Sequence, residues 1–366
     1  MMNVCCNNAT DIHHRGKRLL NARIESIDSL IIDANMTSSM GNFYMQDSSL
    51  FFADVYKCII YEFSINTGKF LGVHYNYGNG PNELSRYLYA YPFENGKGNC
   101  FLIDNSLRMY VWNKSEYLLN DKGNIDFGWE NQKRNNYEST SIYNIMQFTD
   151  FGINLSMVND SVCLVPLSIV NRYINQIDKS RYIKGHVLGE LNLNSMKIER
   201  VLGSFPQVYI EKPTPQHEYF DYVLEDGRMY INHAVDSLIY VYNYPNELLY
   251  TIGYEATNIN REYTVGYDID FETFNNDIKS CGINTGISYV KESGLLIRTS
   301  LLGGKNGLNI CLQAYRNDDL ILEQVVGTLF SFLGYYDGYY YGVKLLPIET
   351  EDEDIKIILY RFNITE

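Results

Sequence analysis

The chain has 366 residues, 45% hydrophobic and 20% charged, enough apolar material for a sizeable core and too much for a disordered segment. Its net charge of −14 argues against a nucleic-acid or anionic-membrane partner, because each needs a concentrated basic face. No apolar run reaches the roughly 18 residues of a membrane-spanning helix. The 33 Tyr favour strands, where rings fit a pleated, half-buried surface.

Residues 1–22 read as a flexible tail ahead of a single domain over 23–366. The opening stretch, MMNVCCNNATDIHHRGKRLL, has no apolar segment of the kind a signal peptide carries. Cys5 and Cys6 have two readings: an acylation site that survives when the front of a lipoprotein signal is missing, or two ordinary cysteines in a polar tail. Arg23–Ile32 (RIESIDSLII) is strand-like and has no hairpin partner of its own.

From there one pattern recurs: an apolar strand, a polar turn, then an alternating aromatic strand. It appears as Leu50–Phe63 (LFFADVYKCIIYEF), Cys100–Trp112, Val162–Leu167 with His186–Leu193, and Met229–Tyr242. It returns as Leu295–Thr299 with Asn309–Tyr315, and as Tyr339–Val343 with Ile355–Phe362. Short apolar runs precede most of these hairpins and edge-like strands follow most of them, giving four strands per unit. The sixth unit lacks its outer strand, and Arg23–Ile32 is expected to supply it. Strands without helices could also form a sandwich, but six similar units fit radial repetition better. The expectation is an all-β, six-bladed β-propeller of four-stranded antiparallel blades, its ring closed by the N-terminal strand.

The segment Gly68–Leu84 (GKFLGVHYNYGNGPNEL) contains Gly78, Gly80, Pro81 and Glu83. It resembles the G-x-G-P-G-E signature that follows the first blade in bacterial TolB-like six-bladed β-propeller proteins, with Asn82 in place of the third glycine. Members of that group are largely uncharacterised and usually carry a lipoprotein signal. The resemblance therefore favours the acylation reading of Cys5 or Cys6, and it carries over no catalytic residue.

The Gly78–Glu83 loop reads either as an anion cradle or as a tight inter-blade connection in which Glu83 accepts backbone hydrogen bonds. Asp54, Asp104 and Asn232 occupy similar places at the ends of first hairpin strands. There they would line a tunnel mouth or cap their own turns. His217, in a Pro-containing loop, and His233 are the histidines placed to join a binding site. Asp268–Glu272 resembles the start of a calcium loop but lacks its glycine and bidentate glutamate. Cys58, Cys100, Cys163, Cys281 and Cys311 form no metal-ligand spacing and read as buried free thiols. No metal and no cofactor is expected.

Two functions remain. The first is an exported, lipid-anchored binding or scaffold module for a protein, peptide or glycan at the cell envelope, presenting insertions at 121–140, 170–185 and 255–285. The second is a hydrolase or lyase acting on glycans or peptides at the central tunnel mouth, which needs converging carboxylates or histidines.

Overall fold

The computed structural model describes residues 13–38, 40–80, 82–84, 89–92, 99–129, 136–146, 154–170, 178–266, 270–306, 308–345 and 357–366. The strand β1 (Arg23–Ile32) precedes blade 1, which runs outward through β2 (Gly41–Gln46), β3 (Ser49–Asp54), β4 (Ile59–Ser64) and β5 (Phe70–His74). A short parallel pair, β6 (Asn76–Tyr77) with β7 (Glu83–Leu84), leads to blade 2: β8 (Tyr89–Pro92), β9 (Cys100–Ile103), β10 (Arg108–Asn113) and β11 (Leu118–Asn124).

In blade 3 the inner position is split. Both β12 (Tyr143–Ile145) and β13 (Ser156–Asn159) pair with β14 (Val162–Ile169). The helix α1 (Lys179–Lys184) separates β14 from β15 (Leu188–Asn192) and β16 (Lys197–Leu202). After α2 (Gln207–Glu211), blade 4 comprises β17 (Phe220–Glu225), β18 (Arg228–His233), β19 (Ile239–Asn243) and β20 (Glu247–Ile252). After α3 (Phe271–Cys281), blade 5 comprises β21 (Gly282–Val290), β22 (Leu295–Leu302), β23 (Asn309–Arg316) and β24 (Asp319–Thr328). Blade 6 comprises β25 (Phe330–Tyr336), β26 (Tyr339–Leu345) and β27 (Ile357–Thr365), with β1 as its outer strand.

The fold is the expected six-bladed propeller, and β1 closes it. Arg23 lies opposite Thr365 and Ile32 opposite Ile357 in an antiparallel ladder. The core sits between blades. Along β3, Leu50 and Phe52 pack into a cluster with Tyr341, Val343 and Leu359 of blade 6, while Phe51 and Ala53 pack with Cys100, Leu102 and Trp112 of blade 2. Successive side chains of a strand point to opposite faces, and here both faces are covered, so every residue of β3 is buried. Tight turns match. Asp226-Gly227 and Asp337-Gly338 both hold positive φ angles, as two-residue hairpins of this twist require.

Several elements depart from the sequence expectation. Three α-helices are present among the described residues, and α3 occupies the 255–285 insertion. Asp270 begins that helix as its N-cap, accepting from the Thr273 N–H at 2.7 Å, where a calcium loop was one reading; residues 267–269 lie outside the described residues. The strand β2 has no expected counterpart. Leu118–Asn124, read partly as insertion, is the outer strand of blade 2. From His13 on, the segment read as tail runs along the outer edges of blades 4 and 5. Arg15 N–H donates to Thr251 O at 2.8 Å, and Leu19 N–H to Leu320 O at 2.9 Å. The five cysteines of the domain are buried, as the sequence led one to expect.

Candidate functional site

In each blade, the loop from second to third strand and the loop from outer strand to the next blade leave from the same end of the ring. The stretches holding α1, α2 and α3 are all loops of these two kinds, so they share one face. They are joined side to side. Tyr137 Oη meets Ser180 Oγ at 3.2 Å. Arg181 makes a buried two-pronged pair with Glu218, Nε to Oε1 at 3.0 Å and Nη2 to Oε2 at 2.6 Å. His217 Nε2 faces Asp277 Oδ2 of α3 at 3.3 Å.

The histidines are structural members of this cap. His217 stacks on Phe274 with ring centroids 5.2 Å apart, and burial lowers its pKa despite Asp277. His233 is buried among Phe205, Tyr209, Phe220 and Tyr240, and burial pushes its pKa down to about 3.

Asp54 accepts from the backbone N–H and the hydroxyl of Ser38, both at 2.6 Å, and from Lys57 N–H at 2.8 Å. Asp104 accepts from Ser106 N–H at 2.7 Å and Arg108 N–H at 3.0 Å. Asp236 does the same work in blade 4, accepting from Leu238 N–H at 3.0 Å and Tyr240 O–H at 2.9 Å. These carboxylates hold second-to-third-strand turns, the capping alternative of the two readings of Asp54 and Asp104, and neither is among the described residues that line the channel cavity. Asn232 is buried inside β18, with Nδ2 at 3.5 Å from Gly286 O.

The Gly78–Glu83 loop is a connection whose concavity is filled from within. Gly80 N–H donates to Glu83 Oε2 at 2.7 Å, and a Cβ on Gly78 would lie 2.0 Å from that oxygen, which leaves an anion no place there. Asn82 holds φ +61° and ties the loop to blade 2, donating to Tyr117 O at 2.9 Å and accepting from Leu119 N–H at 2.8 Å. Pro81, Cys5 and Cys6 lie outside the described residues.

The structure adds a site that the sequence did not mark. A cavity of about 460 Å³ lies on the channel among the inner strands of blades 1, 4, 5 and 6 and the segment that leads into β13 of blade 3, reaching between blades 5 and 6. Phe43, Phe330 and Phe332 line it, with Asn42, Asn154, Thr285, Ser288, Thr299 and Ser331 as polar groups. Asp221 is the ionisable side chain among its described lining. Its carboxylate joins three blades, accepting from Asn154 Nδ2 at 2.9 Å, Tyr222 N–H at 2.9 Å and Ile287 N–H at 2.8 Å. Burial raises its pKa to about 7 against those three bonds. The available signal was an acid inside the aromatic run Tyr219–Tyr222, on a predicted inner strand.

No family model matches the chain, and no curated protein matches it. Among solved structures it is similar to a member of the DUF4221 family from Bacteroides vulgatus, with TM-score 0.72 and 12% identity, covering 95% of this chain and 99% of the other. It is also similar to a "Putative exported protein" of Bacteroides fragilis, with TM-score 0.53 and 12% identity, covering 96% and 99%. At these identities the likeness is one of fold.

Proposed function

We propose that the protein is an exported, lipid-anchored propeller of TolB-like kind that binds part of a protein, peptide or glycan in its channel cavity, entered from the face that carries the insertions. The observation that carries this reading is the cavity's chemistry: about 460 Å³ of partly aromatic space with Asp221 as the ionisable group of its described lining. A hydrolase or lyase needs a second acid, base or nucleophile converging on the same point. Asp54 and Asp104 hold turns, His217 faces Asp277, His233 is buried among aromatic rings, and none of the four is among the described residues that line the cavity, so binding is favoured over bond cleavage.

Export and anchoring draw support from Cys5 and Cys6 and from the similar fold of the Bacteroides fragilis protein. No helix among the described residues is long and apolar enough to cross a membrane. Two measurements test the reading. Mass spectrometry of the N-terminal peptide from the native host should find a diacyl or triacyl Cys5 or Cys6; unmodified Met1 in the cytosol would overturn export. A calorimetric screen of envelope peptides and glycans should find a ligand whose binding Ser331→Trp abolishes by filling the cavity, and a ligand indifferent to that substitution would place recognition elsewhere.

A further inference from the structure

We infer that the channel cavity takes an organic ammonium ion carried on an apolar body, with the ammonium beside Asp221 and the body against Phe43, Phe330 and Phe332. The inference rests on the reading of the cavity as a binding site and names the chemistry of what fills it.

An ionised carboxylate offers about four acceptor positions. Asp221 uses three, two on Oδ1 and one on Oδ2. The remaining capacity is therefore on Oδ2, and the space beside that oxygen is kept clear by Gly286. A Cβ on Gly286 would lie 3.6 Å from Asp221 Oδ2 and 2.9 Å from Thr299 Oγ1. The backbone of Gly286 is not in the left-handed region, so the glycine provides room rather than an unusual conformation.

Charge selects the occupant. No cationic side chain is among the described residues lining the cavity, so an ionised Asp221 has no counter-ion there. An ammonium ion supplies one, donates to Oδ2, and gains further attraction at the faces of the phenylalanine rings. The overall charge of −14 favours the approach of cations over anions to the protein as a whole. A neutral hydroxyl could take the hydrogen bond but gains neither ionic term. The aliphatic wall of Ile297, Leu301 and Ile310 suits an apolar body behind the charged head.

The test compares 2-phenylethylamine with 2-phenylethanol by titration calorimetry at mildly alkaline pH. The amine should bind the wild-type protein about 10- to 100-fold more tightly than the alcohol, as a charge-assisted bond in a desolvated site implies. Asp221→Asn should remove that preference, and Gly286→Ala, which keeps the charge and fills the space, should weaken the amine by at least about tenfold. Near-ultraviolet circular dichroism verifies that both variants are folded. Equal binding of amine and alcohol, or amine binding indifferent to both substitutions, overturns the inference while leaving the cavity a binding site. Binding of neither probe also overturns it. If Ser331→Trp in addition affects no ligand from the envelope screen, the binding reading falls with it.

Discussion

Arg298 and Glu323 are linked through a third residue, Gln313. The Gln313 amide oxygen accepts from Arg298 Nε at 2.8 Å, and its Nε2 donates to Glu323 Oε2 at 2.8 Å. Arg298 is fully buried in the middle of blade 5, and its remaining donors go to the carbonyls of Ser237 and Tyr254 in the blade 4 connections. Glu323 in turn meets Arg18 of the N-terminal segment at 3.0 Å. A buried guanidinium, an amide relay and an edge carboxylate thus join two blades to the chain that wraps them.

Replacing Gln313 with Leu leaves Arg298 Nε without its acceptor. Removing a neutral hydrogen-bond acceptor from a buried charged donor costs about 2 to 3 kcal/mol. Denaturant unfolding of Gln313→Leu should show that loss at unchanged slope, and a loss under about 1 kcal/mol would mean that the carbonyls alone hold the guanidinium.

Glu62 gives the ring an acid-sensitive joint. Burial alone would raise its pKa, but hydrogen bonds from His74, Lys114 and Ser49 outweigh burial and hold it at about 2. Lys114 belongs to blade 2, so the cluster bridges two blades. A carboxylate with a lowered folded pKa stabilises above its unfolded value and loses that contribution as pH falls through the folded value. The window runs from about 4.5 down to about 2. Glu62→Gln should flatten the stability profile there by roughly 2 kcal/mol, read as Tm against pH.

Asp221 slopes the other way, and His233 slopes as Glu62 does over a higher window. Asp221 has a raised pKa of about 7, so its contribution is lost as pH rises from about 4 through 7. Asp221→Asn should therefore flatten the fall in stability between pH 4 and pH 8, a change of up to about 4 kcal/mol in the difference between the two ends. His233 stays neutral in the fold down to about 3 while the unfolded chain protonates near 6.5, so stability falls on acidification below 6.5. His233→Phe should remove that fall. If Asp221→Asn leaves that difference unchanged, its carboxylate is better solvated than its burial implies.

Asn82 tests what a side chain adds where the pattern that this loop resembles has a glycine. Its φ of +61° is comfortable for glycine, so Asn82→Gly keeps the backbone and loses two hydrogen bonds to blade 2, at about 1 kcal/mol. Asn82→Ala adds strain and should cost about 2 kcal/mol. Equal costs would mean that the loop relaxes.

The middle strands were legible because two neighbouring blades bury both of their faces, so LFFAD and CFLID read as continuous apolar runs. Closure by Arg23–Ile32 was legible because one strand lacked a partner and one blade lacked a strand. The outer strand Leu118–Asn124 (LLNDKGN) reads partly as loop because, past Leu118, its exposed positions carry the polar residues Asn120, Asp121, Lys122 and Asn124. The helix α3 contains Asn275, Asn276 and Thr273, poor helix formers, and forms where Asp270 caps it and Ile278 and Cys281 are buried. Asp221 was not legible because its donors Asn154 and Ile287 lie 67 and 66 residues away along the chain. An acid in an aromatic strand marks a site only once the ring has brought those donors together.

The pairing of Arg23 with Thr365 sets an order in time. The strand that leaves the ribosome first among the described elements waits for the one that leaves last. Until then blade 6 has an unsatisfied rim and β1 has no ladder. Chains cut short before Ile357 should stay open-edged and vulnerable to proteases, however well their earlier blades have formed. Joining residues 23 and 365 by a short linker, with new termini cut at the Asn317-Asp318 turn, should let blade 6 form without that wait.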